Sequence, residues 1–394
     1  MALRVGIGTS RNSESAYEAG KEACERALEK IAEHKAEMIV VLSSVMFDQT
    51  EMLKGVNSTA GGAPIVGCTT AGTITTEGPL EHVVAVLALH SDTLQFHPVK
   101  VEHISQSMRE AGKSFGTQLK EKAPKVAFLF SDALSGNGTE LVRGIFEMLG
   151  SNFPLMGGAA GDDMNFKKTY QYFHNEVLTD AIVGFGISGN VKYAVGADHG
   201  WKPIGNAHTV TRSEGTTLFE LDGKPAFSLY EEYFGDRASD FKKTLSLAAV
   251  SYPLGMKTDQ SEKIMIRVPL SIQDDGSIIC GAEILQGSQI YLMIGTQSSA
   301  FAAAKDTAER LKQSVPAIEP VVIFLSDCVA RKILFGEHGK EEIDSIRASV
   351  GENAQIFGFY SYGQIAPFSD TPININTCDP GFYEQSISIA IFGE

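Results

Sequence analysis

The chain has no run approaching the roughly 20 apolar residues that a membrane-spanning helix needs. It also has no cluster of lysine and arginine, and its formal net charge is −15. A nucleic-acid partner requires a concentrated basic face, and an anionic membrane surface requires the same; both are excluded as expectations. Lys120-Glu121-Lys122 and Phe241-Lys242-Lys243 are too short to count and read as solvated faces. The opening residues, Met1 to Gly8, lack the charged start, apolar run and cleavage site of a signal peptide. The five cysteines (Cys24, Cys68, Cys280, Cys328 and Cys378) form no C-x-x-C pair, which fits reduced thiols better than a disulfide framework. Cytoplasmic location is the resulting expectation. The nine histidines show no metal-binding spacing. No catalytic constellation is visible, and no low-complexity linker separates one part from another.

What is present is a repeated turn. Val66-Gly67-Cys68-Thr69-Thr70-Ala71-Gly72-Thr73-Ile74 reads as a strand that stops at small and hydroxyl side chains. Met156-Gly157-Gly158-Ala159-Ala160-Gly161-Asp162 and Phe357-Gly358-Phe359-Tyr360-Ser361-Tyr362-Gly363-Gln364-Ile365 have the same shape. A strand from Leu3 to Gly8 and an alanine-rich helix precede the first turn; Tyr291 to Thr296 and another alanine-rich helix read as their counterpart before the last. Met38 to Ser43 likewise matches Pro320 to Ser326, and His82 to Leu89 matches Ser386 to Phe392. Lys125 to Asp132, Gly138 to Leu149 and Asp180 to Ser188 outline a partial third copy. Asp132 and Asp327, each preceded by serine, read as equivalent strand ends.

The fold class implied is α/β: internally duplicated strand-helix-strand units forming layered sheets with helices outside. Between Val191 and Gln289 the pattern turns β-rich, with hairpins expected at Asp222-Gly223 and Asp275-Gly276. The boundary is placed in the Gly189 to Gly205 region, giving domains 1–195 and 196–394.

These motifs resemble those of FIST proteins, with a FIST N domain followed by a FIST C domain. The N-terminal likeness rests on Gly67 to Gly72, Gly157 to Asp162, Ile182 to Phe185 and Trp201 to Gly205. The C-terminal likeness rests on Cys328-Val329-Ala330-Arg331, Gly358 to Gly363 and Asn376-Thr377. Gln364 departs from the glutamate common in the family. The resemblance implies an intracellular sensory module that binds a small ligand such as an amino acid or related metabolite. Partners implied are a histidine kinase, a cyclic-dinucleotide enzyme or a chemotaxis component. Some members are reported to bind haem and sense nitric oxide.

Strand ends in α/β sheets are where ligands settle, so Thr69, Thr70, Tyr360, Ser361 and Tyr362 are candidate ligand contacts, set against plain tight packing. Asp327 can cap a helix or receive an ammonium. Arg331 can fork a ligand carboxylate or form a structural ion pair. Asn376 can bond a ligand amide or cap a turn. Cys328 and Cys68 raise a cysteine-dependent enzyme as an alternative. His199, followed by His174 and His208, is the candidate axial ligand if haem binds.

Overall fold

The computed structural model describes residues 3–258, 263–316, 319–367 and 381–393. Its body is built from three units of one design. Unit 1 runs β1 (Arg4–Ser10), α1 (Ala16–Lys30), β2 (Met38–Ser43), α2 (Gln49–Thr59), β3 (Ile65–Thr69), the hairpin β4 (Thr73–Thr75) and β5 (Gly78–Leu80), then β6 (Val84–His90). Unit 2 repeats this order with β7 (Gln95–Glu102), α3 (Met108–Lys120), β8 (Val126–Ser131), α4 (Gly138–Leu149), β9 (Leu155–Ala159), β10 (Gln171–Phe173), β11 (Glu176–Leu178) and β12 (Ala181–Ser188).

Unit 3 opens with β13 (Lys192–Asp198) and is then interrupted. The interruption holds β14 (Lys202–Glu214), β15 (Thr217–Leu221), β16 (Lys224–Pro225), α5 (Ser228–Phe234), α6 (Ala238–Lys243), α7 (Leu245–Ser251), β17 (Leu254–Lys257), β18 (Met265–Arg267), β19 (Pro269–Ile272), β20 (Ile278–Cys280) and β21 (Gln289–Ile294). The unit resumes with α8 (Gln297–Ser314), β22 (Val322–Cys328), α9 (Val329–Phe335), α10 (Gly339–Val350), β23 (Gln355–Ser361), β24 (Gly363–Ile365), β25 (Phe382–Tyr383) and β26 (Ile387–Gly393).

The layered α/β reading holds, and the copy number is three. The counterpart of β1 in unit 3 is β13, which lies antiparallel to β26 as β1 lies to β6 and β7 to β12. Tyr291 to Thr296 does not play that part: β21 pairs with β14 and β17 inside the interrupting sheet. The division expected at 195/196 falls within β13.

Each unit gives away the hairpin that follows its turn. The hairpin of unit 2 joins β3 of unit 1, that of unit 3 joins β9 of unit 2, and that of unit 1 joins β23 of unit 3. The exchange is cyclic and closes the body into three six-stranded sheets. Their inner faces share one core, in which Phe128, Phe130, Phe324, Phe357, Phe359 and Phe392 meet. Neighbouring rings there lie 5.1 to 6.4 Å apart, as in Phe128–Phe185 and Phe324–Phe359, within the range aromatic pairs favour. The outer face of each sheet is covered by the helices of its own unit. On α1, Ala19, Ala23 and Ala27 are fully buried, so the alanine face lets that helix pack close.

The inserted module has its own core around Leu218, Tyr230, Leu254, Ile278 and Leu292. Its β15–β16 hairpin turns on Asp222-Gly223, with φ of 49° and 75°, the pairing of positive angles that a two-residue type I′ turn demands. Among the described residues no helix is long and apolar enough to cross a membrane.

Candidate functional site

The three repeated turns meet at the pseudo-threefold axis. Pairing to the preceding strand aligns Gly67 with Val41, Gly157 with Leu129 and Gly358 with Leu325. A Cβ on any of these glycines would lie 1.8 to 2.2 Å from the facing carbonyl oxygen, so only glycine allows the approach. Beyond them the backbone closes a ring of three equivalent bonds. The N–H of Ala71 donates to Tyr360 O (2.9 Å), that of Gly161 to Thr69 O (3.0 Å) and that of Tyr362 to Ala159 O (3.0 Å).

This register makes Ser43, Ser131 and Asp327 the equivalent strand ends. Asp132 is one residue further along, contrary to the serine-aspartate match in the sequence. Its carboxylate accepts from Thr169 Oγ1 (2.8 Å) and from the Leu134 and Asp180 N–H groups (2.9 Å each), which makes it a loop fastener.

Thr69 and Thr70 are buried. Their hydroxyl oxygens accept from Tyr170 N–H (3.0 Å) and Gly72 N–H (3.2 Å), so both serve the turn. In unit 1 the strand end stays neutral: Ser43 Oγ lies 2.6 Å from Tyr172 Oη and 3.1 Å from Gln49 Oε1.

Unit 3 replaces that hydroxyl by a carboxyl group. Asp327, Arg331 and Glu342 have no exposed side-chain surface. Arg331 Nε lies 2.8 Å from Asp327 Oδ1, and one terminal nitrogen of the guanidinium bonds Glu342 Oε1. The guanidinium also donates to the carbonyls of His199 (2.7 Å) and Ala300 (3.1 Å), and lies 5.1 Å from the centre of the Phe335 ring. Arg331 is therefore occupied by structural partners, and its fork is not free for a ligand carboxylate. Asp327 Oδ2, Glu342 Oε2 and Tyr360 Oη are buried and unpartnered. Burial, then the nearby Glu342, hold the Asp327 carboxyl well above the ordinary carboxylate range; Arg331 opposes this. Burial likewise raises the Tyr360 hydroxyl.

Beside this group Ser361 Oγ lies 2.9 Å from Ser326 Oγ and accepts from Gln364 Nε2 (2.9 Å). Gln364 Oε1 accepts from the N–H and hydroxyl of Ser386 (3.3 and 3.2 Å). Gln364 aligns opposite Gly158 and Gln171 opposite Cys68, so the two glutamines are symmetry counterparts. Of the aromatic candidates only Tyr362 reaches towards solvent: its hydroxyl donates to Asp162 Oδ1 (2.5 Å) and its ring stacks on exposed Phe166 at 4.4 Å. Asn376 lies outside the described residues.

Cys68 and Cys328 are buried, and burial pushes the Cys328 thiol up to about 11 and the Cys68 thiol well up too. His199 is buried, with Nδ1 accepting from Trp201 N–H (2.8 Å) and Nε2 2.9 Å from Ile264 O. It would have to break both bonds to ligate an iron, so the residues here do not fit haem. His208 pairs with Asp222 at 2.8 Å, and His174 sits edge-on to Phe173.

Sequence reasoning missed Glu342 and Glu384. Glu342 stands one turn before Ile346 on α10, inside the stripe of Ile343, Ile346 and Val350; a carboxylate in an apolar stripe was the available signal. Glu384 has no sequence signal. It accepts from Val268 N–H of the insert (3.1 Å), and burial raises its carboxyl to about 7. Gln385 Nε2 donates to Ala249 O of the insert (2.7 Å). The insert thus covers the unit 3 strand end, where Val250 packs on Cys328 and Ala330. An open groove of about 410 Å³ lies elsewhere, on the seam of units 1 and 3, lined by Thr9, Arg26, Lys30, Thr75 and Gln355 among others.

Among known proteins, residues 37–224 match the FIST N domain and residues 226–367 the FIST C domain. An uncharacterized protein of Methanocaldococcus jannaschii is 26% identical over 295 residues, 68% of this chain and 55% of that protein. The chain therefore spans about half the length of that relative. An uncharacterized protein of Mycobacterium tuberculosis is 23% identical over 381 residues, 93% of this chain and 95% of that one. A PurLQS structure from Thermotoga maritima aligns with 99% of this chain and 72% of its own, at 10% identity and a TM-score of 0.23, too low to inform the fold.

Proposed function

The chain belongs to the FIST domain proteins, and from that premise we propose that it is a signal-input protein whose ligand acts at the unit 3 strand end, beneath the inserted module. The ligand class is an amino acid or a related small metabolite. Binding shifts the seating of the insert on the body, and a partner protein such as a histidine kinase, a cyclic-dinucleotide enzyme or a chemotaxis component reads the shift. One observation supports this above the others: of three equivalent strand ends, unit 3 alone combines buried charge with a covering module. A binding role is favoured over a catalytic one because Cys68 and Cys328 are buried with raised thiols.

The test is a thermal-shift screen of the full chain against amino acids, amines and small carboxylates. A true ligand raises the melting temperature of the wild type and of Gln171→Leu, and loses its effect in Gln364→Leu. Stabilisation that survives Gln364→Leu, or no stabiliser in the set, would sink the proposal.

A further inference from the structure

The inserted module is joined to the body through a two-stranded neck and also packs on it through Val250, Glu384 and Gln385. The chain leaves through His199-Gly200-Trp201 and returns through Gly295-Thr296 into α8. The two passages touch: Gly200 has φ +86°, and a Cβ on it would sit 2.5 Å from Ser299 O. Arg331 grips both, holding His199 O on the outgoing passage and Ala300 O on the returning one.

Two carboxyl groups share this one guanidinium in a site without water access. If both were ionised, a net negative charge would be buried and two oxygens, Asp327 Oδ2 and Glu342 Oε2, would stay unsatisfied. Buried polar atoms in native proteins find partners, and like charges in contact do not both ionise. One proton resolves both problems.

We infer that Asp327 carries a proton which it donates to Glu342, and that this proton keeps Arg331 locked onto the neck, so that its loss loosens the inserted module. The inference deepens the proposed function and rests on it only for what the loosening signals. Among the described residues, the surroundings offer no substitute charge. On α9, Lys332 is turned to Glu81 (2.6 Å) and Ala71 O (2.6 Å). From β23, Tyr360 presents a neutral hydroxyl, raised by burial. From the neck, the His199 ring is bonded at both nitrogens, and burial lowers its proton affinity. Asp198 and Lys263, 3.9 Å apart, act on that ring and not on the carboxyl pair. Cys328, at the end of β22, keeps its thiol proton, its group raised to about 11; Glu384 faces Cys328 and Arg267.

The chain carries one tryptophan, and it lies in the neck. Trp201 is buried, its indole N–H donates to Val250 O (3.0 Å), and Arg331 lies 5.9 Å from its ring. Its emission therefore reads the lock in the full chain, without any ligand. In the wild type, raising the pH should red-shift Trp201 emission, with a midpoint above the ordinary carboxylate range. Asp327→Asn supplies a permanent donor to Glu342, and Glu342→Gln a permanent donor to Asp327. Both should abolish the transition and keep the blue-side emission at all pH values. Glu384→Gln should leave the transition in place. A wild-type emission that is flat with pH overturns the inference, as does a transition surviving in the two lock variants. Should Asp327→Asn fail to fold, Glu342→Gln decides alone. A ligand screen that fails leaves this result untouched, and the reverse also holds.

Discussion

The unit 1 and unit 3 strand ends are the same backbone put to different uses. Both carry the close-approach glycine and the axial ring bond, but unit 1 receives Gln171 from its donated hairpin where unit 3 receives Thr73. Unit 1 fills its end with neutral hydroxyl and amide groups, Ser43, Gln49 and Tyr172, which satisfy one another. Unit 3 fills the corresponding end with two carboxyls and a guanidinium, and sets the insert on top. Neutral filling makes a rigid joint. Charged filling makes a joint whose state depends on a proton, and therefore on whatever disturbs it. On the proposed function, the signal is read where the threefold pattern is broken.

The largest effect should come from removing the counter-ion. Arg331→Met leaves Asp327 and Glu342 buried without a positive partner, and should cost about 3–5 kcal/mol. Tyr172→Phe at the unit 1 joint removes one hydroxyl and should cost about 1 kcal/mol. Urea unfolding of both variants measures the gap; equal losses would mean the two ends are energetically alike.

Next in size is the pH dependence. Glu384 keeps its proton in the folded chain up to about 7, against the ordinary glutamate value of 4.5. The unfolded chain releases the proton earlier, so between these values the folded state binds more protons and stability falls as pH rises. The drop should total about 3 kcal/mol, to which Asp327, raised in the same direction, adds with the same sign. Unfolding midpoints compared at about pH 5 and pH 8 should fall with pH, and less so in Glu384→Gln. A rise instead would contradict the raised Glu384 carboxyl.

The smallest effects test the symmetry itself. Gly67→Ala, Gly157→Ala and Gly358→Ala each push a methyl group into a carbonyl oxygen and should each cost about 1–3 kcal/mol. Three similar losses by thermal unfolding support equivalence. One silent substitution would break it.

Much of this was legible in the residues. Continuous apolar strands alternating with amphipathic helices announced layered α/β structure, and the three glycine turns were visible as one motif. The strand exchange was not. Thr73–Thr75 is three residues long, and so short an alternating segment fits any sheet edge. Tyr291 to Thr296 was mistaken for the start of unit 3 because an apolar run, a glycine and an alanine-rich helix follow in the expected order. The true first strand, Lys192–Asp198, is separated from its helix by the insert. At the site, residue type singled out Asp327 and Arg331, whereas their bonding partners depend on tertiary packing. Glu342 stands among several charged residues on α10, and only its place in the stripe of Ile343, Ile346 and Val350 set it apart.

The most direct measurement of the account is Trp201 emission during titration with any compound that raises the melting temperature. The account predicts that such a compound shifts the emission in the wild type and not in Gln364→Leu. A compound that stabilises the chain while Trp201 emission stays unchanged would contradict the claim that ligand binding is read at the neck.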